Sequence, residues 1–487
     1  MNKNKYVLKY DKYQKKLDSF IDQSIQKKKL EDALIGMNML NTLKYHWNQT
    51  YVDSKMEEQI QSVTEMASIF LAEKISALEK QRQDCILFYD SFGLDLRGLA
   101  SIYLKALLGT GKRLIYVTVS AAKGNQSTIN KILENQNVVV EYINKDCSYV
   151  DCIGQLLDIF IRYAPIIAFE YNQPWDMDGI ITFQLLRNVV RYKINLTDHA
   201  YWSGVSSFDY CIEFRDYGAV ISEQYRGIHK EKIIKLPYYP FIDKSVAYNG
   251  LPFEENGKKI VFSGGSLYKT IGEGNLYYRI VEEILNMDSS VVFIYAGSGD
   301  DSELRRLVLL YPSRVYHISE RKDLFELMKH CYFYLSTYPM IGGLMSQYAA
   351  AAGKLPITLK HNDDGCGVLL NEEELGINYE NSEALLEDVR RLLEDSDYKK
   401  EKEKLLQYSL ISEQEFEEEI VRLTCSHCTK YHIRKINLDT QDFIRDYKYR
   451  FGDNELAAAA SKRNKKVAFK FMGLYIRKIY IKLLRKR

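Results

Sequence analysis

Three segments decide the fold of this chain: KIVFSGGSLYKTIGEG (259–274), SSVVFIYAGSGDD (289–301) and HCYFYLSTYPMIGGLMSQYAAAAGKLPI (330–357). In each segment an apolar β-type run precedes glycines and small polar residues, and a helical pattern follows. Repeated strand–loop–helix units predict a parallel sheet, whose loops gather at the carboxyl ends of the strands, where ligands bind. A glycine turn before a helix presents free N–H groups to an anion, most often phosphate. The three segments therefore predict a nucleotide site.

The composition indicates a large protein with a basic end. At 487 residues, of which 46% are hydrophobic, the chain is long enough for two or three domains. Residues 462–487 contain 11 Lys or Arg and no acid, so subtracting +11 from the net charge of +2 leaves −9 for residues 1–461. An acidic body argues against a nucleic-acid binder.

The cysteines and the hydropathy predict the compartment. The 8 cysteines are scattered along the chain, which is typical of the reduced thiols of a cytoplasmic protein. No uninterrupted apolar run reaches the roughly 18 residues of a membrane-spanning helix. We therefore expect a cytoplasmic protein, or one that is peripheral on the cytoplasmic face of a membrane.

Periodicity divides the chain into two α/β domains with helical additions. Alternating strand and helix patterns predict a first doubly wound domain over 83–245, a linker at 246–257 and a second domain over 258–395. The strands of the first domain are expected at 85–89, 114–119, 138–142, 166–170, 192–197 and 210–214. The other parts are a helical region at 1–82, a helical return segment at 396–460 and a basic amphipathic tail at 461–487. We expect the N-terminal helices to pack on the first domain; partner or acceptor binding is the alternative.

Three stretches carry a resemblance to a known family. VFSGGSLYKTIGEG (261–274), STYPMIGGLMSQYAAAAGKLPIT (336–358) and INLTDHAYWSGVSSFDYCIEFRDYGAVISEQYRGIHKEKIIKLPYYP (194–240) resemble the O-GlcNAc-transferase-like group of inverting GT-B glycosyltransferases. The resemblance implies two Rossmann-like domains facing a cleft, with the donor nucleotide mainly on the second domain. It also implies that Lys269 contacts the diphosphate of a UDP-sugar, which is a substrate rather than a cofactor.

The chain departs from the family in two places. The family has His-Thr-Thr where this chain reads Gly343-Leu344-Met345-Ser346, which leaves backbone N–H groups and Ser346 to contact phosphate. The family also places a histidine, proposed as its catalytic base, after the first strand. The corresponding loop, Ser91-Phe92-Gly93-Leu94-Asp95-Leu96-Arg97, has no histidine. These departures favour one alternative to an enzyme, a non-catalytic GT-B-like partner subunit.

Glycosyl transfer requires stabilisation of the charge that develops on the leaving diphosphate, and a cation with a helix N-terminus can supply it. A solvated loop lysine is the alternative for Lys269, and a plain tight turn for Gly342-Gly343. The predicted donor-binding residues are Gly264, Gly265, Ser266, Lys269, Gly297, Gly342, Gly343 and Ser346, with Lys269 also counted as catalytic.

Transfer also requires a base for the proton of the acceptor hydroxyl. Asp95 is the first candidate because it follows the first strand, and helix N-capping is its alternative role. His199, at a strand end in Thr197-Asp198-His199, is the second candidate; a hydrogen-bonded structural histidine is the alternative.

Metal and retaining chemistry are both disfavoured by the sequence. Residues 342–356 contain no glutamate, whereas retaining GT-B enzymes often carry two after the last glycine loop. Cys425, His427, Cys428 and His432 lack a second Cys or His pair at the spacing that a zinc site needs. We expect an inverting, metal-independent enzyme.

The basic tail has a helical pattern over 467–484. Phe469, Met472, Ile476, Ile479, Tyr480 and Leu483 fall on one side, and Lys470, Arg477, Lys478, Lys482 and Arg485 fall largely on the other. Such a helix can lie in a membrane interface and attract anionic lipid. A tail that packs on the protein, or is disordered, is the alternative.

Taken with these patterns, the resemblance implies transfer of a sugar from a UDP-sugar to a glycan or lipid-linked acceptor in bacterial polysaccharide or glycoconjugate synthesis. A protein acceptor is the second possibility. The sequence does not indicate which sugar is transferred or the oligomeric state.

Overall fold

The computed structural model describes residues 4–78, 82–95, 99–361, 367–438, 447 and 451–484. The chain forms two compact units. Unit 1 comprises Met1–Leu236, Gln414–Lys435 and Phe451–Arg487, and unit 2 comprises Pro237–Glu413 and Ile436–Arg450. Each unit is built around a parallel sheet of its own.

Unit 1 contains a seven-stranded parallel sheet. Its strands are β1 (Gln83–Asp90), β2 (Arg113–Val119), β3 (Val138–Ile143), β4 (Pro165–Tyr171), β5 (Val190–Ile194), β6 (Tyr210–Glu213) and β7 (Ile233–Lys235), in the order β3-β2-β1-β4-β5-β6-β7. Central strands such as β1 and β4 are nearly continuous runs of buried residues, as expected where helices cover both faces of a sheet.

The helices of unit 1 come from three parts of the chain. The helices before unit 2 are α1 (Asn4–Gln26), α2 (Leu30–Trp47), α3 (Ser54–Phe70), α4 (Ala72–Ala77), α5 (Ala100–Leu108), α6 (Ser127–Leu133), α7 (Tyr149–Tyr163), α8 (Met177–Leu185) and α9 (Asp216–Gln224). After the chain has passed through unit 2, it adds α17 (Glu413–Ser426), α18 (Asp453–Ala458) and α19 (Met472–Leu484). Helix α2 is buried on almost every side. Its side chains share one apolar core with α1, α3, α7, α8 and the tail, so the N-terminal helices are part of this unit's core.

Unit 2 contains a six-stranded parallel sheet in the order β10-β9-β8-β11-β12-β13. These strands are β8 (Lys259–Gly264), β9 (Val291–Ala296), β10 (Val315–Ile318), β11 (Phe333–Leu335), β12 (Pro356–Leu359) and β13 (Asn378–Tyr379). The helices are α10 (Leu276–Met287), α11 (Ser302–Leu310), α12 (Leu324–Lys329), α13 (Gly343–Ala351), α14 (Glu372–Leu375), α15 (Ser382–Glu394) and α16 (Ser396–Lys404). Strand order reverses between β8 and β11, and ligands of doubly wound sheets bind at such a switch point.

The two parallel sheets confirm the predicted doubly wound α/β architecture. The strands predicted for unit 1 are present, and short strands such as β7 and β10 were missed because three or four residues carry little periodic signal. The predicted six-part division stays a prediction. The N-terminal helices and the basic tail belong to the same compact unit as the first sheet, and unit 2 begins at Pro237. Among the described residues, no helix is long and apolar enough to cross a membrane.

Candidate functional site

The loops after β8 and β9 are joined along the carboxyl edge of the unit 2 sheet. The backbone N–H of Gly265 donates to the carbonyl of Ala296 at 2.9 Å, and that of Leu267 donates to the carbonyl of Ser298 at 2.9 Å. The Tyr295 hydroxyl also donates to the carbonyl of Gly265 at 3.2 Å. The two loops therefore form one connected backbone surface beside the switch point.

Two glycines make this surface possible. Gly265 has φ +127°, a conformation that residues with a side chain rarely adopt. A Cβ atom placed on Gly297 would lie 1.9 Å from the carbonyl oxygen of Gly265, which is far inside van der Waals contact. The sequence reasoning selected both positions as glycine loops, but it contained no information on this direct approach of one loop to the other.

The loop after β11 brings the N-terminus of α13 to the same place. The N–H of Met340 donates to the carbonyl of Lys269 at 3.2 Å, and a Cβ on Gly264 would lie 3.3 Å from Cε of Met345. Helix α13 begins at Gly343 after a Gly342 cap that has no side chain, so its first amides lack a capping group. These amides and the partial positive charge of the helix terminus face the switch point and favour an anion.

Two polar side chains of α13 are buried with unsatisfied oxygen atoms. Ser346 is 1% exposed, and its hydroxyl has no hydrogen-bond partner among the described residues. Gln347 donates from Nε2 to the carbonyls of Tyr238 and Val368 at 2.9 and 3.1 Å, while its Oε1 has no partner in the described part of the chain. A buried hydroxyl without a partner is costly. The first turn of α13 is therefore suited to receive a polar ligand.

Lys269 lies in a 3₁₀ turn (Leu267–Thr270) directly after the β8 loop. Its side chain is half-buried and passes beside Gly265, where a Cβ would meet Cδ of the lysine at 3.9 Å. Within the described ranges no carboxylate pairs with its ammonium group. The Lys269 carbonyl accepts the N–H of Met340, three residues before α13, so the lysine lies next to the segment that leads into this helix. A cation and a helix N-terminus can together stabilise a diphosphate.

Asp95 occupies a helix cap in unit 1. Its Oδ1 accepts the N–H groups of Thr128 and Ile129 at 2.9 and 3.0 Å, and its Oδ2 accepts the Ser127 hydroxyl at 3.2 Å. Both carboxylate oxygens thus serve the N-terminus of α6. Helix capping was the alternative role that the sequence left open for Asp95. In the structure Asp95 caps α6 and not α5, the helix that follows it in the chain. Residues 96–98 of the same loop lie outside the described residues.

His199 follows β5 at the carboxyl edge of the unit 1 sheet. Its Nδ1 lies 3.3 Å from Oδ1 of Asp198, and its side chain is 26% exposed. The Arg215 guanidinium donates to both carboxylate oxygens of Asp198, at 2.6 and 3.0 Å. Burial by itself would raise the pKa of Asp198, but Arg215 outweighs it and holds that pKa well below its ordinary value. A permanently charged carboxylate orients this imidazole, which is how general-base histidines are arranged.

The Cys425–His432 segment gives no support to a zinc site. His427 stacks on Tyr210 with ring centroids 5.1 Å apart, and its Nδ1 lies within hydrogen-bond distance of the Tyr192 hydroxyl. Cys425 and Cys428 are exposed. In the described part of the chain, no group of three or more His, Cys, Asp or Glu side chains could hold a metal ion.

The predicted donor-binding residues lie in unit 2, in neighbouring loops. The loops after β8 and β9 are hydrogen-bonded to each other, Gly264 lies next to Met345 of α13, and the Lys269 carbonyl accepts the N–H of Met340. The two base candidates lie in unit 1, in separate loops after β1 and β5. Sequence reasoning missed Gln347 and the Asp198–Arg215 pair. A polar residue inside the small-residue run of α13 was the available signal for Gln347, whereas nothing in the sequence pairs Asp198 with Arg215.

The chain is similar to known proteins in its fold and not in its sequence. No protein-family model matches the sequence, and no curated protein matches it. Among solved structures, a mutant of Thermobaculum terrenum O-GlcNAc transferase is similar over 91% of this chain and 83% of its own, with 12% identity and a TM-score of 0.50. A Rickettsia africae glycosyltransferase is similar over 71% of this chain and all of its own, with 13% identity and a TM-score of 0.51.

A third solved structure is a mutant of S. aureus TarM in complex with fondaparinux, alpha-GlcNAc-glycerol and UDP. It is similar over 71% of this chain and all of its own, with 11% identity and a TM-score of 0.51. These neighbours are GT-B glycosyltransferases, and the likeness confirms the GT-B fold predicted from the sequence. At identities of 11–13% the likeness concerns the fold.

Proposed function

We propose that this chain is a glycosyltransferase that takes a sugar from a UDP-sugar and passes it to a glycan or lipid-linked acceptor in bacterial polysaccharide or glycoconjugate synthesis. The observation that carries the proposal is the contact of the loops after β8 and β9 with each other and of the β8 loop with the start of α13. Among the described residues, the Lys269 ammonium has no carboxylate partner and the Ser346 hydroxyl has no hydrogen-bond partner. Amides, a cation and a hydroxyl together match the oxygens of a diphosphate.

The similar solved structures support the same class of substrate. Two of them are glycosyltransferases by name, one an O-GlcNAc transferase, and the TarM complex contains UDP and alpha-GlcNAc-glycerol. Those names supply the expectation of a uridine nucleotide and of an N-acetylhexosamine. The acceptor proposed here comes from the sequence and not from those names.

The proposed reaction is a single displacement with inversion and without a metal ion. The acceptor oxygen attacks the anomeric carbon, the bond from that carbon to the diphosphate oxygen breaks, and UDP leaves with the bonding electron pair. Lys269 and the first amides of α13 stabilise the charge that develops on the diphosphate. The acceptor proton passes to a base, for which we propose His199, whose Nδ1 lies 3.3 Å from Oδ1 of Asp198. Asp95 is the weaker candidate because its oxygens already accept hydrogen bonds from three donors at the start of α6, the Ser127 hydroxyl and the N–H groups of Thr128 and Ile129.

One observation favours a second candidate function. The loop after β1 has no histidine, and its carboxylate, Asp95, caps a helix. A chain with an intact donor site and no base would bind a nucleotide sugar without turnover, as a partner subunit of a glycosyltransferase. Binding and turnover therefore have to be measured separately.

The test begins with calorimetric titration of the full chain with UDP, followed by hydrolysis and transfer assays with a panel of UDP-sugars. Lys269→Ala is expected to weaken UDP binding and to lower turnover at least about tenfold, since the charge of a phosphate-binding cation is lost. Lys400→Ala is the matched control, because Lys400 lies on α16 with its side chain 66% exposed.

Each outcome separates the candidates. UDP binding with turnover that depends on Lys269 supports the enzyme. UDP binding without turnover of any UDP-sugar supports the partner subunit. If the folded protein binds no uridine nucleotide, both the enzyme and the partner-subunit proposals are wrong. If the Lys269 and Lys400 variants behave equally, Lys269 is not part of the site.

A further inference from the structure

We propose that one exposed face binds an anionic lipid surface. This face is formed by helix α19 together with the turn before it. This tail face consists of Phe469, Met472, Ile476, Ile479, Tyr480 and Leu483, whose exposure ranges from 48% for Met472 to 87% for Phe469. From Met472 onward these residues are three or four positions apart, except for the adjacent Ile479 and Tyr480, so that they form one stripe along the helix. The face lies in unit 1.

Packing within unit 1 fixes which way the stripe points. Phe471 and Leu474, on the opposite side of this segment, are 1% and 0% exposed and belong to the apolar core of unit 1. The Phe471 ring packs edge-on against Phe20 of α1 with centroids 5.6 Å apart. The helix is therefore docked through one side and presents the tail face to the outside of unit 1.

The tail face is larger than ordinary surface apolar patches. With about 200 Å² for each fully exposed large side chain, the six exposures correspond to roughly 700 Å² of surface. The largest apolar patch of a typical monomer is about 300–600 Å² and is often functional. A continuous stripe of this area indicates an interaction surface rather than scattered exposed residues.

The charge around the stripe selects the partner. Arg463 and Arg477 turn inward and pair with Asp178 and Asp453. Lys462, Lys465 and Lys482 are exposed and pair with no carboxylate among the described residues, and residues 462–487 contain no acid. A second copy docked on this face would bring like charges together. An anionic bilayer instead supplies both an apolar layer for the stripe and counter-charge for the lysines.

The test uses the full chain and vesicles of phosphatidylcholine with or without 30% phosphatidylserine, in a flotation assay without donor or acceptor. The wild type is expected to float with the anionic vesicles, less so as salt rises. Ile476→Glu with Ile479→Glu is expected to lower the partition at least tenfold. The matched control is Leu309→Glu with Leu310→Glu on α11, where the exposures are 82% and 56% and the charge change is the same.

A second variant keeps the apolar stripe intact. Lys465→Gln with Lys482→Gln is expected to lower the partition by about 25-fold, taking roughly fivefold for each cation that is removed from the surface. All variants alter exposed side chains, and circular dichroism checks that they fold. An absence of wild-type binding, or equal binding by the tail-face variant and the α11 control, would overturn the proposal.

Self-association is the competing use of the face. If the wild type is dimeric by sedimentation, and if Ile476→Glu with Ile479→Glu makes it monomeric without changing vesicle binding, the face is an interface between copies and the lipid proposal is wrong. Nucleotide binding is not part of this assay, so its outcome is independent of the proposed glycosyl transfer.

Discussion

Gly297→Ala tests the contact on which the donor-site geometry depends. A Cβ at this position would lie 1.9 Å from the carbonyl oxygen of Gly265, whereas ordinary contact begins at 3.4 Å. The two loops would have to separate by about 1.5 Å, the difference between these distances. Such a shift breaks the hydrogen bonds from Gly265 to Ala296 and from Leu267 to Ser298, both 2.9 Å long.

The expected magnitude follows from those two bonds. Each contributes about 1 kcal/mol net, so unit 2 should lose about 2 kcal/mol of its free energy of unfolding. The loss of activity should be larger in relative terms, because displacement of positioning groups by about 1 Å can cost about a hundredfold in turnover. Lys269 follows the β8 loop, so the cation and the α13 amides would no longer face the diphosphate together.

Urea unfolding and hydrogen exchange at β8 and β9 measure the stability, and UDP titration measures the site. Gly154→Ala is the control, because a Cβ there meets only Cε of Lys74 at 3.7 Å inside α7. That substitution should stabilise unit 1 by up to about 1 kcal/mol and leave UDP binding unchanged. If Gly297→Ala matches the wild type in unfolding, exchange and UDP affinity, the close approach of the loops has no structural role and the argument fails.

Three further predictions concern unit 1. Asp95→Asn should destabilise α6 by about 1 kcal/mol without shifting the pH profile of turnover; a shifted profile would restore Asp95 as a base. His199→Gln should lower kcat at least about a hundredfold with little change in KM, and an unchanged kcat would exclude it. Burial raises the pKa of Glu213 from 4.5 to about 7, so the folded protein binds this proton more tightly than the unfolded chain does. The resulting contribution to the free energy of unfolding is fully present below pH 4.5 and is lost as the pH rises through about 7. Urea unfolding between pH 5 and 8 should show that fall, and Glu213→Gln should make it shallower, while the raised pKa values of Glu57 (about 7) and Asp90 (about 6) keep part of it. An equal slope in both proteins would contradict the assignment.

Patterns among neighbouring residues in the sequence were enough to predict the α/β architecture. Strands such as β1, β4, β8 and β9 are runs of β-branched and aromatic residues that end at glycines or polar residues, and this pattern depends only on neighbours in the sequence. The same holds for the N-terminus of α13, where two glycines precede a small-residue helix. A parallel sheet then brings the carboxyl ends of its strands together, so the donor loops could be predicted as a group.

Roles that depend on distant partners could not be predicted. Asp95 follows β1 as a catalytic carboxylate would, yet the amides it accepts are 33 and 34 residues away. His199 is an ordinary strand-end histidine in the sequence, and only folding places Arg215 on its neighbour Asp198, 17 residues on. Periodicity encodes which side of an element is buried, but it does not encode what that side meets.

The basic tail shows the same difference between what local sequence patterns predict and what contacts with distant residues decide. The sequence by itself determined that 467–484 is amphipathic and cationic, because side-chain spacing on a helix follows from its 3.6-residue period. Only the tertiary structure decided that Phe471 and Leu474 enter the core, that Arg477 turns inward to Asp453, and that the apolar stripe remains uncovered. In the donor loops, likewise, the sequence supplied glycines, and folding alone brought Gly297 against Gly265. The physical reason is common to both: conformational preference is local, whereas burial and electrostatic pairing are decided by whichever distant segment packs alongside.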